Sequence, residues 1–152
     1  MWNLSRVGGL VGEKAEDRWD AGPQAMRQSL DLSKIGQPQE AFRVLDKAIA
    51  EANEENRGMW VGTLCRHAAR LAHEMRDVNQ EIHYEEQALP HSHDYRFALY
   101  HFAQLLLRGG QVSRAERCAM EAQELALMQE TEVDRDLVAA ILKQWPNLTD
   151  NP

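Results

Sequence analysis

Gly36-Gln37-x-x-x-Ala41-x-Arg43-x-x-x-x-Ala48 recurs as Gly110-Gln111-x-x-x-Ala115-x-Arg117-x-x-x-x-Ala122, and Leu32 and Leu106 extend the match at the same offset. The recurring residues are glycine, which tolerates the positive φ of a helix stop, and alanine, short enough to let two helices touch. A chain that repeats those positions reads as repeated helical hairpins. Such hairpins bury a core between neighbours and expose extended binding surfaces.

The composition agrees. Ala, Leu, Glu, Gln and Arg dominate and are good helix formers, whereas Val, Ile and Thr are sparse and no stretch alternates with period two. The fold class expected is all-α. At 152 residues the chain is long enough to bury one core. A formal net charge of −7 argues against nucleic acid and against an anionic membrane surface as partner. No apolar run reaches the roughly 18 residues of a membrane span, and the glycine-broken start around Trp2–Val11 makes a poor signal peptide. Cys65 and Cys118 lie in apolar helical patterns outside any CxxC pair and read as small buried side chains in a reducing compartment. The expected location is cytoplasmic.

Residues 1–22 read as a tail or loosely docked segment, with a short helix over Glu13–Trp19 ended by Gly22-Pro23. Periodicity starts at Gln24, where Ala25, Gln28, Ser29, Leu32 and Ile35 share a face. Gly36 stops that helix and Pro38 opens the next, whose stripe is Ala41, Val44, Leu45, Ala48, Ile49 and Ala52. After a polar connector at Asn53–Gly58, a long helix points Trp60, Leu64, Cys65, Ala68, Ala69, Leu71, Ala72 and Met75 inward. A break near Arg76-Asp77 precedes a shorter helix with Val78, Ile82, Tyr84, Glu85 and Ala88, ended by Pro90. Another pair breaks at Gly109-Gly110, and a last helix carries Val133, Leu137, Ala140, Ile141 and Trp145. Three hairpins result, over 23–53, 57–90 and 94–129, followed by a capping helix over 131–146 and a tail over 147–152. Trp145 either completes that cap or is offered to a partner.

The second and third hairpins also match, at a shift of 34 residues, through His67/His101, Ala69/Ala103, Leu71/Leu105, Val78/Val112 and Ala88/Ala122. With Gly36 and Gly110 in the turns, Ala41/Ala115 and Ala48/Ala88/Ala122 in the second helices and Ala69/Ala103 in the first, residues 24–128 resemble the tetratricopeptide repeat family. The departures are Ser29 where a first-helix alanine belongs, Arg76 where a turn glycine belongs and Glu81 where a second-helix alanine belongs. The resemblance implies a right-handed α-α superhelix of about three hairpins plus the C-terminal capping helix. It also implies a concave groove lined by the first helix of each hairpin.

Carried over by position, that groove would hold Met26, Arg27, Leu30, Ser33 and Lys34, then Thr63, Arg66, His67, Arg70, His73 and Glu74, then Phe97, Tyr100, His101, Gln104, Leu107 and Arg108. Five Arg/Lys and three His stand there against one carboxylate, in a chain acidic overall. The expected function is therefore a non-enzymatic adaptor that binds an acidic or C-terminal protein segment. Lys34, Arg66, Arg70, His73, Gln104 and Arg108 would supply polar contacts, and Phe97 and Tyr100 would pack a flanking apolar residue. The family's carboxylate clamp for chaperone tails uses asparagines, which this set lacks.

Catalytic signatures such as GxSxG, P-loop, HExxH and GxGxxG are absent, so no enzyme and no cofactor is expected. His91-x-His93 supplies only two ligands where a tight metal site needs three or four, so no metal is expected. Size, acidity and the stretch Tyr95-Arg96-Phe97 through Leu105-Leu106 are similar to the small translocator chaperones of type III secretion, which leaves a chaperone as one alternative. The other is a homo-oligomerisation unit in which the apolar Trp2–Val11 segment docks on a neighbouring copy.

Overall fold

The computed structural model describes residues 18–150. Over that range the chain forms seven α-helices, two short 3-10 turns and no strand: α1 (Ala21–Lys34), α2 (Pro38–Glu54), α3 (Gly58–Glu74), α4 (Val78–Ala88), α5 (Tyr95–Arg108), α6 (Val112–Gln129) and α7 (Glu132–Gln144), with the 3-10 turns at Leu89–His91 and Pro146–Asp150. The all-helical class read from the sequence is what the chain adopts. No described helix is long and apolar enough to cross a membrane.

Four of the connections are one turn used repeatedly. At each, a residue in the left-handed region follows the helix: Gly36 and Gly110 at φ 80°, Asn56 and Arg76 at φ 57°. Its N–H returns to a carbonyl of the last turn (Gly36 to Ser33, Asn56 to Asn53, Arg76 to His73, Gly110 to Leu107), and the next N–H reaches one residue further back (Gln37 to Leu32, Arg57 to Ala52, Asp77 to Ala72, Gln111 to Leu106). This is the Schellman arrangement, which satisfies carbonyls that a helix end leaves open. The missing turn glycine at Arg76 therefore changes the cost of the turn and leaves its shape unchanged.

The chain divides into two compact units between Ala68 and Ala69, a point inside α3. In the first unit, α2 buries Ala41, Phe42, Leu45, Ala48, Ile49 and Ala52, the i, i+4, i+7, i+8 stripe of an amphipathic helix. Phe42 takes the place expected for Val44, which is only half-buried. Near the start of α1, Gly22 faces Trp60 near the start of α3 so closely that a Cβ there would sit 2.5 Å from the indole. Further along, the buried Ser29 hydroxyl donates to the Met26 carbonyl at 2.8 Å and pairs with His67 Nε2 at 3.1 Å, 38 positions on. The first contact joins the helix starts and the second joins mid-helix residues in the same order, so α1 and α3 run side by side in one direction.

In the second unit, α5 and α6 form an antiparallel hairpin. Ala115, Ala119, Ala122 and Ala126 make a wholly buried ridge along α6, and Leu99, Phe102, Ala103 and Leu106 of α5 belong to the same core. Enlarging such an alanine typically costs about 1–3 kcal/mol. Helix α7 repeats the parallel relation. Arg96 at the start of α5 pairs with Asp134 at the start of α7, again 38 positions on. Gln104 toward the end of α5 donates to Gln144 at the end of α7, at 3.2 Å. Thr131 and Asp134 form a reciprocal capping box that fixes where α7 begins.

Several expectations are corrected. Gly22-Pro23 lie inside the first turn of α1, whose start at Ala21 precedes Gln24. They begin a helix because proline is tolerated there and because glycine lets the indole of Trp60 approach. Trp19 is no loose tail residue, since its ring lies 6.0 Å from Trp60 with the Arg57 guanidinium 5.5 Å above it. Ile35 and Met75 are exposed, each being the last residue before a left-handed turn, where the chain leaves the packed face. Val133, in the first turn of α7, is exposed as well. Trp145 is buried in the second unit's core with Leu137, Ile141 and Leu148, so it completes the cap and offers no docking surface. The expected Glu13–Trp19 helix lies mostly outside the described residues; its last two residues, Arg18 and Trp19, are described and are not helical. The Trp2–Val11 segment lies entirely outside them.

Candidate functional site

Of the eight side chains singled out in the sequence, Lys34 on α1 and Arg66 on α3 fall in the first unit, and both are exposed. The other six fall in the second unit: Arg70 and His73 on the last turns of α3, and Phe97, Tyr100, Gln104 and Arg108 on α5. His67, expected in the groove, is turned to Ser29 instead and is half-buried.

The second unit gathers four of its six, Tyr100, Gln104, His73 and Arg108, around two hubs. One is Gln104. Its amide nitrogen donates to the Tyr100 hydroxyl at 3.3 Å and to Gln144 Oε1 at 3.2 Å, and its carbonyl oxygen lies 3.3 Å from His101 Nδ1. A single side chain thus sets the positions of an aromatic ring, an imidazole and a neighbouring helix. Tyr100 and Phe97 are both half-buried against the core, so each presents only part of its ring. The Arg96 guanidinium, 5.1 Å from the Phe97 ring, adds a cation–π contact.

The second hub is Glu81 on α4. Its side chain is only 12 % exposed, and its two oxygens take one partner each: His73 Nδ1 at 3.2 Å on Oε1 and Arg108 Nη2 at 3.2 Å on Oε2. A buried carboxylate is costly unless paired and hydrogen-bonded, and here both conditions hold. In the sequence Glu81 stood out only as a missing alanine. The only signal that could have found its role was that Arg108 needed a counter-charge and no groove position except Glu74 supplied one. Gln144 was likewise missed, because nothing local marks a residue of the capping helix as a neighbour of α5.

Beyond these hubs, Arg96 bridges Asp94, at 2.8 Å, and the buried Asp134. Asp134's carboxyl is held below the usual carboxylate range, first by the hydrogen bond from the Thr131 hydroxyl, against the opposing effect of burial, with Arg96 assisting. These contacts serve the fold. Cys118 is half-buried and its thiol is pushed up, mainly by burial. That is the direction of an unreactive cysteine. His91 and His93 are exposed, and among the described residues no three His, Cys, Asp or Glu side chains converge as metal ligands would.

Chemically the arrangement offers exposed hydrogen-bond donors and cations on helix faces, with partial aromatic surface beside them. No family model, no curated protein and no solved structure matches the chain.

Proposed function

We propose that the chain is a tetratricopeptide-type adaptor that binds an acidic peptide or protein segment without covalent chemistry. The recurrent left-handed turns and the like-end pairing of alternate helices within each unit support the repeat reading. The observation that carries the binding reading is electrostatic. In a chain of net charge −7, the first-helix positions still hold exposed Lys34, Arg66, Arg70 and Arg108. Only Arg108 among these four engages a carboxylate of the described residues. Cations kept available on one class of helix face, while carboxylates crowd the rest of the sequence, suit an acidic ligand. Part of the Tyr100 ring stands ready for an apolar neighbour of the ligand's acids. A few exposed ion pairs of about 0.2–1 kcal/mol each and one apolar anchor give an affinity of roughly micromolar order.

The test compares fluorescent octapeptide pools rich in Glu with pools rich in Lys, by anisotropy, on the full chain. Wild type should bind the acidic pool and lose it as salt rises. The Arg66→Glu/Arg70→Glu double variant, shown folded by circular dichroism, should lose it entirely. Equal binding of both pools, or binding retained by the folded variant, would sink the reading.

A further inference from the structure

We propose that the groove between α6 and α7 docks a partner's amphipathic helix whose apolar stripe is flanked by lysine or arginine. This goes beyond the acidic-segment reading and shares no residue with it. In the second unit, α6 lies along α5 and also reaches α4, where Arg114 Nη2 donates to Glu86 Oε2 at 3.0 Å and Ile82 enters the common core. A helix standing to α7 as α6 stands to α5 would therefore lie on α7 and touch α6. Among the described residues the chain puts no such helix there, because α7 is followed by the short 3-10 turn Pro146–Asp150, which folds Leu148 into the core. That place is a groove of about 500 Å³, lined by Ala126, Leu127 and Glu130 at the end of α6 and by Asp134, Arg135 and Val138 of α7.

The surface around the groove is apolar and acidic. Leu127 is 55 % exposed, Met128 77 % and Val133 54 %, all at the α6–α7 turn. Large apolar side chains left together in water mark a contact surface, and an unbranched methionine adapts its shape to a partner. Glu124 stands one turn before Leu127 and Met128 on α6, Glu130 lines the groove, and Asp136 stands one turn after Val133 on α7. All three carboxylates are exposed, and none has an ion pair among the described residues. The charge of Asp134 is met by Arg96, and Arg135 donates to the Glu130 carbonyl at 3.2 Å. The uncompensated charge at this corner is therefore negative. A helix laid in an apolar groove is anchored by residues at i, i+3, i+4 and i+7. Those anchors supply most of the affinity, since exposed ion pairs are individually weak, and the carboxylates select a helix with basic flanks.

The experiment titrates the full chain against three fluorescent, N-acetylated and C-amidated peptides of about five helical turns, read by anisotropy. The first carries leucines at i, i+3, i+4 and i+7 spacing with lysines elsewhere. The second has glutamates in place of the lysines, and the third is the first in a scrambled order that leaves no stripe. Wild type should bind the first about tenfold or more tightly than either of the others. Leu127→Ala/Met128→Ala keeps good helix formers at exposed positions. Shown folded by circular dichroism, it should lose about tenfold in affinity, the scale of burying a leucine-sized side chain. Glu124→Gln/Glu130→Gln should flatten the salt dependence of binding. Equal binding of the striped and scrambled peptides, or full binding by the folded alanine variant, would show attraction of opposite charges alone and overturn the inference. A preference for the acidic helix overturns it as well. So does a wild-type dimer in sedimentation velocity that the alanine variant dissociates, because the groove is then covered by a second copy.

Discussion

Replacing Arg76 by glycine should stabilise the protein. Arg76 is exposed, lies at φ 57° in the turn between α3 and α4, and makes no ion pair or hydrogen bond through its side chain among the described residues. The left-handed conformation costs an ordinary residue about 1–2 kcal/mol relative to glycine. Glycine returns part of this through the greater freedom of its unfolded chain, about 0.5–1 kcal/mol. The net expectation is a gain of about 0.5–1 kcal/mol, or about 1–4 °C in Tm for a chain of this size. Urea titration should show the midpoint rising at constant slope. Gly110→Ala is the mirror experiment. Gly110 adopts φ 80° in the same kind of turn, and a Cβ there would meet nothing within 4 Å. Its loss of about 1 kcal/mol would therefore report backbone strain alone. A neutral or destabilising Arg76→Gly beside a costly Gly110→Ala would refute the view that the two turns are one device differing only in the price of its left-handed residue.

Gly109, next to Gly110, carries a different constraint. A Cβ would lie 2.7 Å from Ile82 Cδ1, so Gly109→Ala should destabilise by about 1 kcal/mol through overpacking, and adding Ile82→Val, which removes that methyl group, should recover most of the loss in a double-mutant urea cycle. Gly22→Ala drives a methyl group into the Trp60 ring, 2.5 Å away; a loss of about 1–3 kcal/mol with altered tryptophan fluorescence is expected, and an unchanged Tm would show that α1 does not pack there as described. Asp134 gives a pH dependence of definite sign. Because its folded carboxyl is held low, chiefly by the Thr131 hydroxyl, its stabilisation is present above the unfolded value near about 3.9 and is lost as pH falls through the lower folded value. Asp134→Asn should therefore be clearly less stable than wild type at pH 7, and the difference should shrink at acid pH. A gap that stays constant with pH would refute that assignment.

The helices and the turns between them were legible because helix periodicity and turn chemistry are local. The α3–α4 turn was found even without its glycine, since the hydrophobic pattern breaks at Arg76-Asp77; the structure adds that the Asp77 side chain caps α4 by accepting from the Gln80 N–H. The errors at Ile35, Met75 and Val133 share a cause. Each continues an apolar period at a helix end, where the chain is entering or leaving the packed face, and periodicity carries no information about where the neighbouring helix stops. Ser29 and Glu81 show the other limit. Both stand at positions where the repeat pattern asks for alanine, and both are buried. The small-residue rule treats a polar side chain there as a defect, because a helix contact normally supplies nothing to bond with. Here the contact supplies His67 to Ser29, and His73 and Arg108 to Glu81. Those partners lie 38, 8 and 27 positions away, and no local pattern links them. A polar residue at a small-residue position is thus better treated as a search instruction than as a failed match. Its desolvation must be offset, so the donor that offsets it has to be on a facing helix. Applied to Glu81, that reasoning selects His73 on α3 and Arg108 on α5.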